Sequence, residues 1–317
     1  MPQLETRSMG RTGMAPKALG LGGAWWHQVS EDENIAGIHR ALELGINYLD
    51  TYPGEYAPDT FPGQNEERWG KALSGGKREQ VYLQAKVSSN APGERHTDHS
   101  GPQTRRSVEA SLKLLRTDYL DSVLIHGYDE LSDVETLDDF VDPLAPGNAL
   151  DELLKMKQEG LVRHIGIGAR SAEVQRRAIE TGQIEILLTY MDYSLLSQTV
   201  AETTFDLARE HGVGLILASP LAMGLLAGVP EVFETAASYS DNLPTAQLAR
   251  TMWDWCLERE VNIRHLAVQY CLAAPIDGIV MPGPCNQQQV EDAYEAATVQ
   301  IPAQIWSDFQ KEFGIGV

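Results

Sequence analysis

Short apolar runs recur along the chain, each followed by a polar or Gly/Pro-containing loop, a segment of helical periodicity, and a glycine or charged turn. Eight such runs read as strands: residues 19–22, 46–50, 81–86, 122–126, 164–168, 184–190, 213–218 and 278–281. Most are almost continuously apolar, the pattern of parallel strands covered on both faces. Between them, Val108, Leu112 and Leu115 recur at helical spacing, and Leu150, Leu153 and Leu154 form a comparable stripe, so each helix offers one face to a sheet. Ser30 with Glu33 and Thr199 with Glu202 read as capping boxes, and Gly45, Gly160, Gly182 and Gly212 as helix stops. The alternation predicts an α/β protein whose eight units close into a (β/α)8 TIM barrel, as a single domain over residues 1–317.

A doubly wound open sheet is the competing architecture. Its dinucleotide-binding turn would have to be Gly20-Leu21-Gly22-Gly23, which lacks the third glycine and runs into Ala24-Trp25-Trp26-His27 where a helix should begin. The longer irregular stretches, 52–64, 88–103, 127–147 and 220–244, each follow a strand and precede a helix. In a barrel they share the C-terminal rim, where the active sites of this architecture lie. The stretch 129–142 is acidic, without Lys or Arg, and reads as a solvated flap.

Composition narrows the function classes. With 43% hydrophobic and 22% charged residues the chain is globular and builds its core without staples. Its net charge of -20, with no basic cluster, argues against nucleic acid as a partner. Three cysteines, Cys256, Cys271 and Cys285, have no CxxC spacing and no even count, which points to a reducing cytoplasm. A leader sequence and a long apolar span are both missing from the pattern, so neither secretion nor a membrane anchor is expected.

Three ionisable residues end consecutive apolar runs: Asp50, Lys86 and His126. A lysine at the end of a buried strand is costly to desolvate unless a carboxylate compensates it, and Asp50 on the preceding strand is the natural partner. A tyrosine would complete a proton-transfer set, because an adjacent ammonium stabilises a phenolate. Tyr52 and Tyr56 both follow Asp50. Taken singly, each residue also has a structural reading, as a cap, a rim ion pair or a core histidine. The segment His96-Thr97-Asp98-His99 lacks a third spaced ligand and reads as a solvated loop, so no metal is expected. There is no Gly-x-Ser-x-Gly elbow for acyl transfer.

The ordered set of Asp50, a nearby tyrosine, Lys86 and His126 resembles the aldo-keto reductase superfamily. The likeness extends through Arg7-Ser8-Met9-Gly10-Arg11-Thr12-Gly13, similar to the family's N-terminal hairpin plug, and through Asn65-Glu66 to Gly70-Lys71-Ala72-Leu73. It continues at Gly160-Leu161-Val162-Arg163, at Ser219-Pro220-Leu221 with Gly224-Leu225-Leu226, and at Pro282-Gly283 with Gln289. The resemblance implies a barrel that binds an extended nicotinamide cofactor and passes hydride between it and a carbonyl or carbinol carbon. By the same resemblance Tyr56 is the general acid/base, Lys86 lowers its pKa, Asp50 holds Lys86, and His126 orients the substrate oxygen. Gly22, Tyr190, Ser219, Leu221, Gly224, Gly283, Asn286 and Gln289 would bind the cofactor. Trp25, Trp26 and His27, at the first strand end, are either core packing or a wall for a sugar-like substrate.

The chain departs from the family pattern at several places. The family's tyrosine usually lies five residues after the aspartate, where this chain has Glu55, so Tyr56 needs a one-residue bulge and Tyr52 is the alternative. Gly168-Ala169 stands where Ser-Asn often grips the carboxamide, Tyr190 where a Gln is expected, and Ala218 where many members stack a tyrosine. These changes resemble the aldose and galactose-type dehydrogenase branch. A 2′-phosphate needs Lys or Arg after the eighth strand, whereas residues 282–289 carry no cation and Glu291 and Asp292 follow, so NAD is expected over NADP. The leading expectation is an NAD-dependent dehydrogenase of an aldose at C1, or of a small alcohol, acting in carbohydrate metabolism. The alternatives are an NADPH-dependent aldehyde or ketone reductase and a weakly active, cofactor-binding regulatory subunit.

Overall fold

Strand and helix alternate as the apolar pattern predicts. The computed structural model describes residues 3–24, 26–52, 64–87, 99–126, 142–238 and 243–317, apart from the side chains at positions 27, 243 and 244. Eight parallel strands, β1 (Leu21–Gly22), β2 (Tyr48–Asp50), β3 (Tyr82–Val87), β4 (Leu120–Ile125), β5 (Val162–Gly168), β6 (Ile186–Tyr190), β7 (Gly214–Ala218) and β8 (Gly278–Met281), pair in chain order. The last returns to the first: Gly20 N–H donates to the Val280 carbonyl at 2.8 Å, and Val280 N–H to Ala18 at 2.9 Å. The result is a (β/α)8 barrel.

Its helices are α1 (Glu31–Glu43), α2 (Gln64–Ala72), α3 (Gly101–Leu115), α4 (Ala149–Gln158), α5 (Ala172–Glu180), α6 (Thr199–Thr203) and α7 (Phe205–His211). After β7 come α8 (Pro230–Ser238), α9 (Leu243–Leu257) and α10 (Ile263–Leu272); after β8, α11 (Gln287–Thr298) and α12 (Ala303–Phe313). Ser30 caps α1 through a complete box with Glu33. Gly45, Gly160, Gly182 and Gly212 all follow helices in the left-handed conformation. The second expected box is not formed. Gln198 is the N-cap of α6 and Thr199 its first residue, so the hydroxyl sits one position too far into the helix to cap it.

Strand side chains alternate between two cores. Tyr48, Leu124, Ile186, Ile216, Ile279 and Met281 face the barrel interior, while Leu49, Leu83, Val123, Ile125, Leu187 and Val280 join the layer under the helices. Strands β4, β6, β7 and β8 carry apolar residues on both faces, and there the period-two signal is hidden in a continuous run.

The N-terminal segment plugs the barrel bottom, but its hairpin is reduced to one antiparallel bridge between Thr6 and Lys17. Met9 and Met14 enter the interior core. Arg11 fixes the plug by donating to the carbonyls of Gly182 at 2.9 Å and Ile184 at 2.7 Å. Gly10 is required there: its φ is +51°, and a Cβ would stand 2.4 Å from the Gly212 carbonyl oxygen. With the bottom closed, functional groups gather at the C-terminal ends of the strands.

Candidate active site

Asp50 ends β2, Lys86 is the penultimate residue of β3, and His126 directly follows β4, so the barrel brings the three to one rim. The Lys86 ammonium donates to Asp50 Oδ1 at 2.6 Å, to Asp50 Oδ2 at 2.5 Å and to the Thr51 carbonyl at 3.0 Å. Both side chains of this pair are 7% exposed. An ammonium has three donors, and here all three are engaged.

A polar layer below fixes Asp50. Gln84 donates its amide to Asp50 Oδ1 at 2.7 Å, and its own oxygen accepts from the Tyr48 hydroxyl at 2.7 Å and from Ser122 Oγ at 3.1 Å. Burial pushes the Tyr48 phenol far above its usual range, so it remains a donor. Sequence reasoning missed this layer, although the signal was present. Tyr48 lies two residues before Asp50 and Gln84 two before Lys86, which places each on the same face of its strand.

His126 is half-buried with its Nδ1 enclosed, and that desolvation, reinforced by the charge of Lys86 and by His99, pushes its pKa down to about 3. Its imidazole is neutral, with one donor and one acceptor nitrogen. Tyr52 meets it edge-on at 5.2 Å between ring centroids. The Lys86 ammonium lies over the Tyr52 ring, 5.9 Å from its centroid. Tyr56 lies outside the described residues.

His99 corrects an expectation: it was read as part of a solvated loop, yet it is 1% exposed and close enough to His126 to influence it electrostatically. It lies two residues before α3. His96 and Asp98 lie outside the described residues. No three His, Cys, Asp or Glu side chains gather into a metal set among the described residues.

The residues expected to bind a cofactor lie along the same rim. Gly22 and Gly283 are adjacent, with Gly22 N–H donating to the Pro282 carbonyl at 2.9 Å. Tyr190 ends β6 and is 37% exposed, beneath the Arg170 guanidinium at 5.1 Å; Arg170 in turn binds Asp192 at 2.8 Å. Ser219, Ala222 and Met223 hold left-handed backbones with φ of 57°, 46° and 57°. Such conformations cost non-glycine residues about 1–2 kcal/mol each. The Ala222 and Gly224 amides close the turns onto Ser219 and Leu221, both at 2.9 Å, so they are committed within the loop. Asn286 caps α11 by accepting from Gln289 N–H at 2.9 Å, while Gln289 Oε1 accepts from Cys285 N–H at 2.9 Å.

Trp26 takes the core half of its two expected roles. It is fully buried, its indole N–H donates to the Gly22 carbonyl at 2.8 Å, and it packs edge-on against Trp69 at 5.6 Å. Trp25 and the side chain of His27 lie outside the described residues.

The charge around α11 is arranged differently from what the local sequence suggests. Arg40 from α1 reaches Glu291 at 2.7 Å, and Arg264 from α10 pairs with Asp292. Cations from elsewhere in the chain therefore do reach this helix, and each holds one of its carboxylates. A separate groove of about 600 Å³ opens at the opposite end of the barrel beside Arg7, Arg209 and Asp277. It is remote from the strand-end residues Asp50, Lys86 and His126.

Residues 18–311 match the model of the aldo/keto reductase family. The chain is 31% identical over 311 residues to an L-galactose dehydrogenase of Arabidopsis thaliana, covering 94% of this chain and 89% of that protein. It is 25% identical over 328 residues to a D-threo-aldose 1-dehydrogenase of a Pseudomonas species, covering 93% and 94%. Among solved structures, an aldo-keto reductase from Bacillus halodurans in its holo form superposes with a TM-score of 0.72 at 26% identity, covering 98% of this chain and 96% of that one.

Proposed function

The chain belongs to the aldo/keto reductase family of oxidoreductases, and on that premise we propose that it is an NAD-dependent dehydrogenase oxidising an aldose at C1 or a small alcohol. The work is done by one barrel domain, in the cytoplasm, where three free buried thiols fit a reducing compartment. The observation that carries the reading is the buried Lys86–Asp50 pair beside a neutral His126. The sugar preference is supported by two relatives named as sugar dehydrogenases.

The rim fits a nicotinamide cofactor. Gly168 has no side chain beside His126, and a Cβ there would come within 3.3 Å of the imidazole, so the space over the site depends on glycine. Ala218 keeps the end of β7 small, and the N-terminus of α11 opens just beyond β8 with its positive dipole end available to an anion. Gly22, Tyr190, Ser219, Leu221, Gly224, Gly283, Asn286 and Gln289 are proposed to hold it. Bound there, the cofactor supplies the hydride acceptor for alcohol oxidation, or the hydride donor in reverse.

The protein supplies the proton chemistry. The Tyr56 phenolate, favoured by the Lys86 ammonium, takes the proton of the substrate hydroxyl as base and becomes the phenol. Asp50, fixed by Gln84, keeps that ammonium in place. His126, neutral at working pH, gives the substrate oxygen a directed hydrogen bond without a competing charge. On this reading the Tyr52 ring walls the site, since the ammonium meets its face. A second reading makes Tyr52 itself the acid/base, favoured by its place between Lys86 and His126.

NAD is preferred because Arg40 and Arg264 already neutralise Glu291 and Asp292, leaving a 2′-phosphate to compete for them. An NADPH-linked carbonyl reductase is the alternative favoured by those same two arginines. Steady-state kinetics over a panel of aldoses, small alcohols and aldehydes with each cofactor tests the choice. Higher kcat/KM for aldose oxidation with NAD is expected. Dominant aldehyde reduction with NADPH overturns the reading.

A further inference from the structure

Glu66, on α2, is fully buried, and the mechanism above does not use it. Its Oε1 lies 3.4 Å from Thr51 Oγ1, and its Oε2 has no hydrogen-bond partner among the described residues. Thr51 Oγ1 carries a single proton, and its shorter contact is with the Gln84 carbonyl at 3.0 Å. That proton serves the nearer carbonyl, so the Thr51 hydroxyl is only a weak donor to Glu66 Oε1. A buried carboxylate supported only by the Thr51 and Ser111 hydroxyls is disfavoured, whereas a neutral acid in the same place is not.

The same threonine ties Glu66 to the site, because its carbonyl accepts the third proton of Lys86. We propose that Glu66 is a positioning residue for the Lys86 site: a neutral carboxylic acid behind Thr51, whose ionisation adds a second negative charge near Lys86 and weakens the ammonium's support of the phenolate. This rests on the reading that Lys86 serves a catalytic tyrosine.

The surroundings agree. Burial pushes the Glu66 carboxyl up to about 7, against the pull of the Ser111 and Thr51 hydroxyls and of Lys86. From β3 the charged group facing it is Lys86, and from β2 comes Asp50, already paired with Lys86. The neighbouring helices contribute Ser111 from α3 and, from α1, Glu31, which is bound to Lys71. On α2 itself Glu67 also reaches Lys71, and Arg68 binds Trp26, Val29 and Asn34. His99 and His126 lie toward the strand ends, with His126 uncharged. Below neutrality Lys86 and Asp50 make one cation and one anion at the site; above it, Glu66 adds a second anion.

Two comparisons of Glu66→Gln with wild type test this. The first is stability against pH, which needs no turnover. A carboxyl raised from 4.5 to about 7 in the folded state binds a proton that the unfolded chain has lost, so its contribution declines as pH rises between those values. Wild type is expected to lose stability relative to Glu66→Gln across that window; a constant difference overturns the proposal. The second is the pH midpoint of alcohol oxidation, expected to fall by about half a unit to one unit in Glu66→Gln because no second anion forms. An unchanged midpoint also overturns it. Thr51→Val keeps the carbonyl that holds Lys86, removes the hydroxyl facing Glu66, and is expected to move the midpoint the same way; it carries the test if Glu66→Gln does not fold. Lys86→Met separates the two levels: turnover surviving that change removes the parent reading and this one with it, whereas loss of turnover with an unmoved Glu66→Gln midpoint removes only this one.

Discussion

Lys86 and Asp50 form a buried two-pronged pair, with the ammonium 2.6 and 2.5 Å from the two carboxylate oxygens. Since the third ammonium proton is on the Thr51 carbonyl, support of a phenolate requires one Asp50 contact to be exchanged for the tyrosine oxygen. Asp50 thus both anchors the lysine and supplies the bond it gives up. In the low-dielectric rim that exchange keeps the charge compensated throughout.

Asp50→Asn leaves the ammonium buried without an anion. Removing one partner of a buried pair costs about 3–5 kcal/mol, and the amide recovers only part of it through a hydrogen bond. A large drop in thermal midpoint together with loss of kcat is expected. Wild-type stability in the variant would show that Lys86 finds another anion.

Gln84→Leu keeps the volume of the interior but removes the amide that orients Asp50 and strips an acceptor from Tyr48 and Ser122. Unmade buried hydrogen bonds cost about 1–3 kcal/mol each. The variant is expected to unfold at lower denaturant and to lower kcat more than it changes KM, since Gln84 acts through Asp50.

Glu291→Gln removes one of the two carboxylates that hold Arg40, leaving Glu43 as its partner. Binding of the 2′-phosphorylated cofactor, followed by fluorescence quenching, should tighten by about threefold to tenfold while NAD binding stays unchanged. No change in the ratio would place the phosphate contacts elsewhere.

The pH dependence of stability has a distinct source at the other end of the barrel. Burial raises the Glu185 pKa, but bonds from His164 and Lys157 outweigh it and hold the carboxyl down to about 2. The unfolded chain takes up a proton near 4.5 that the folded chain refuses until about 2, so this contribution is present above 4.5 and lost as pH falls through 2. Lys157→Met is therefore expected to destabilise most above pH 4.5, with the difference from wild type vanishing near pH 2, as chemical denaturation at several pH values would show.

The barrel was legible because continuous apolar runs such as 122–126 and 213–218 are what strands buried on both faces require. Asp50, Lys86 and His126 stood out because charge at the end of such a run needs a partner, and β2, β3 and β4 are neighbours. Gln84 and Ser122 were lost inside those runs: one polar residue amid apolar neighbours does not announce a bonded layer until strand register sets Asp50 opposite Gln84 and Gln84 opposite Ser122. Trp26 was ambiguous because an aromatic at a strand end serves core or substrate equally, and only its packing against Trp69 decides. His99 is buried although its neighbours in sequence are polar, which local polarity misreads. The cations at α11 come from α1 and α10, far away in sequence, so no local window could show them.

Lys86 and a neighbouring tyrosine are proposed to carry proton transfer in aldose oxidation. The most direct test is single-turnover reduction of NAD by an aldose in wild type, Lys86→Met, Tyr56→Phe and Tyr52→Phe, with cofactor binding measured on each. Normal cofactor binding is expected, with chemistry slowed about 10²–10⁴-fold in Lys86→Met and Tyr56→Phe and a smaller effect in Tyr52→Phe. Wild-type rates in Lys86→Met would contradict that role.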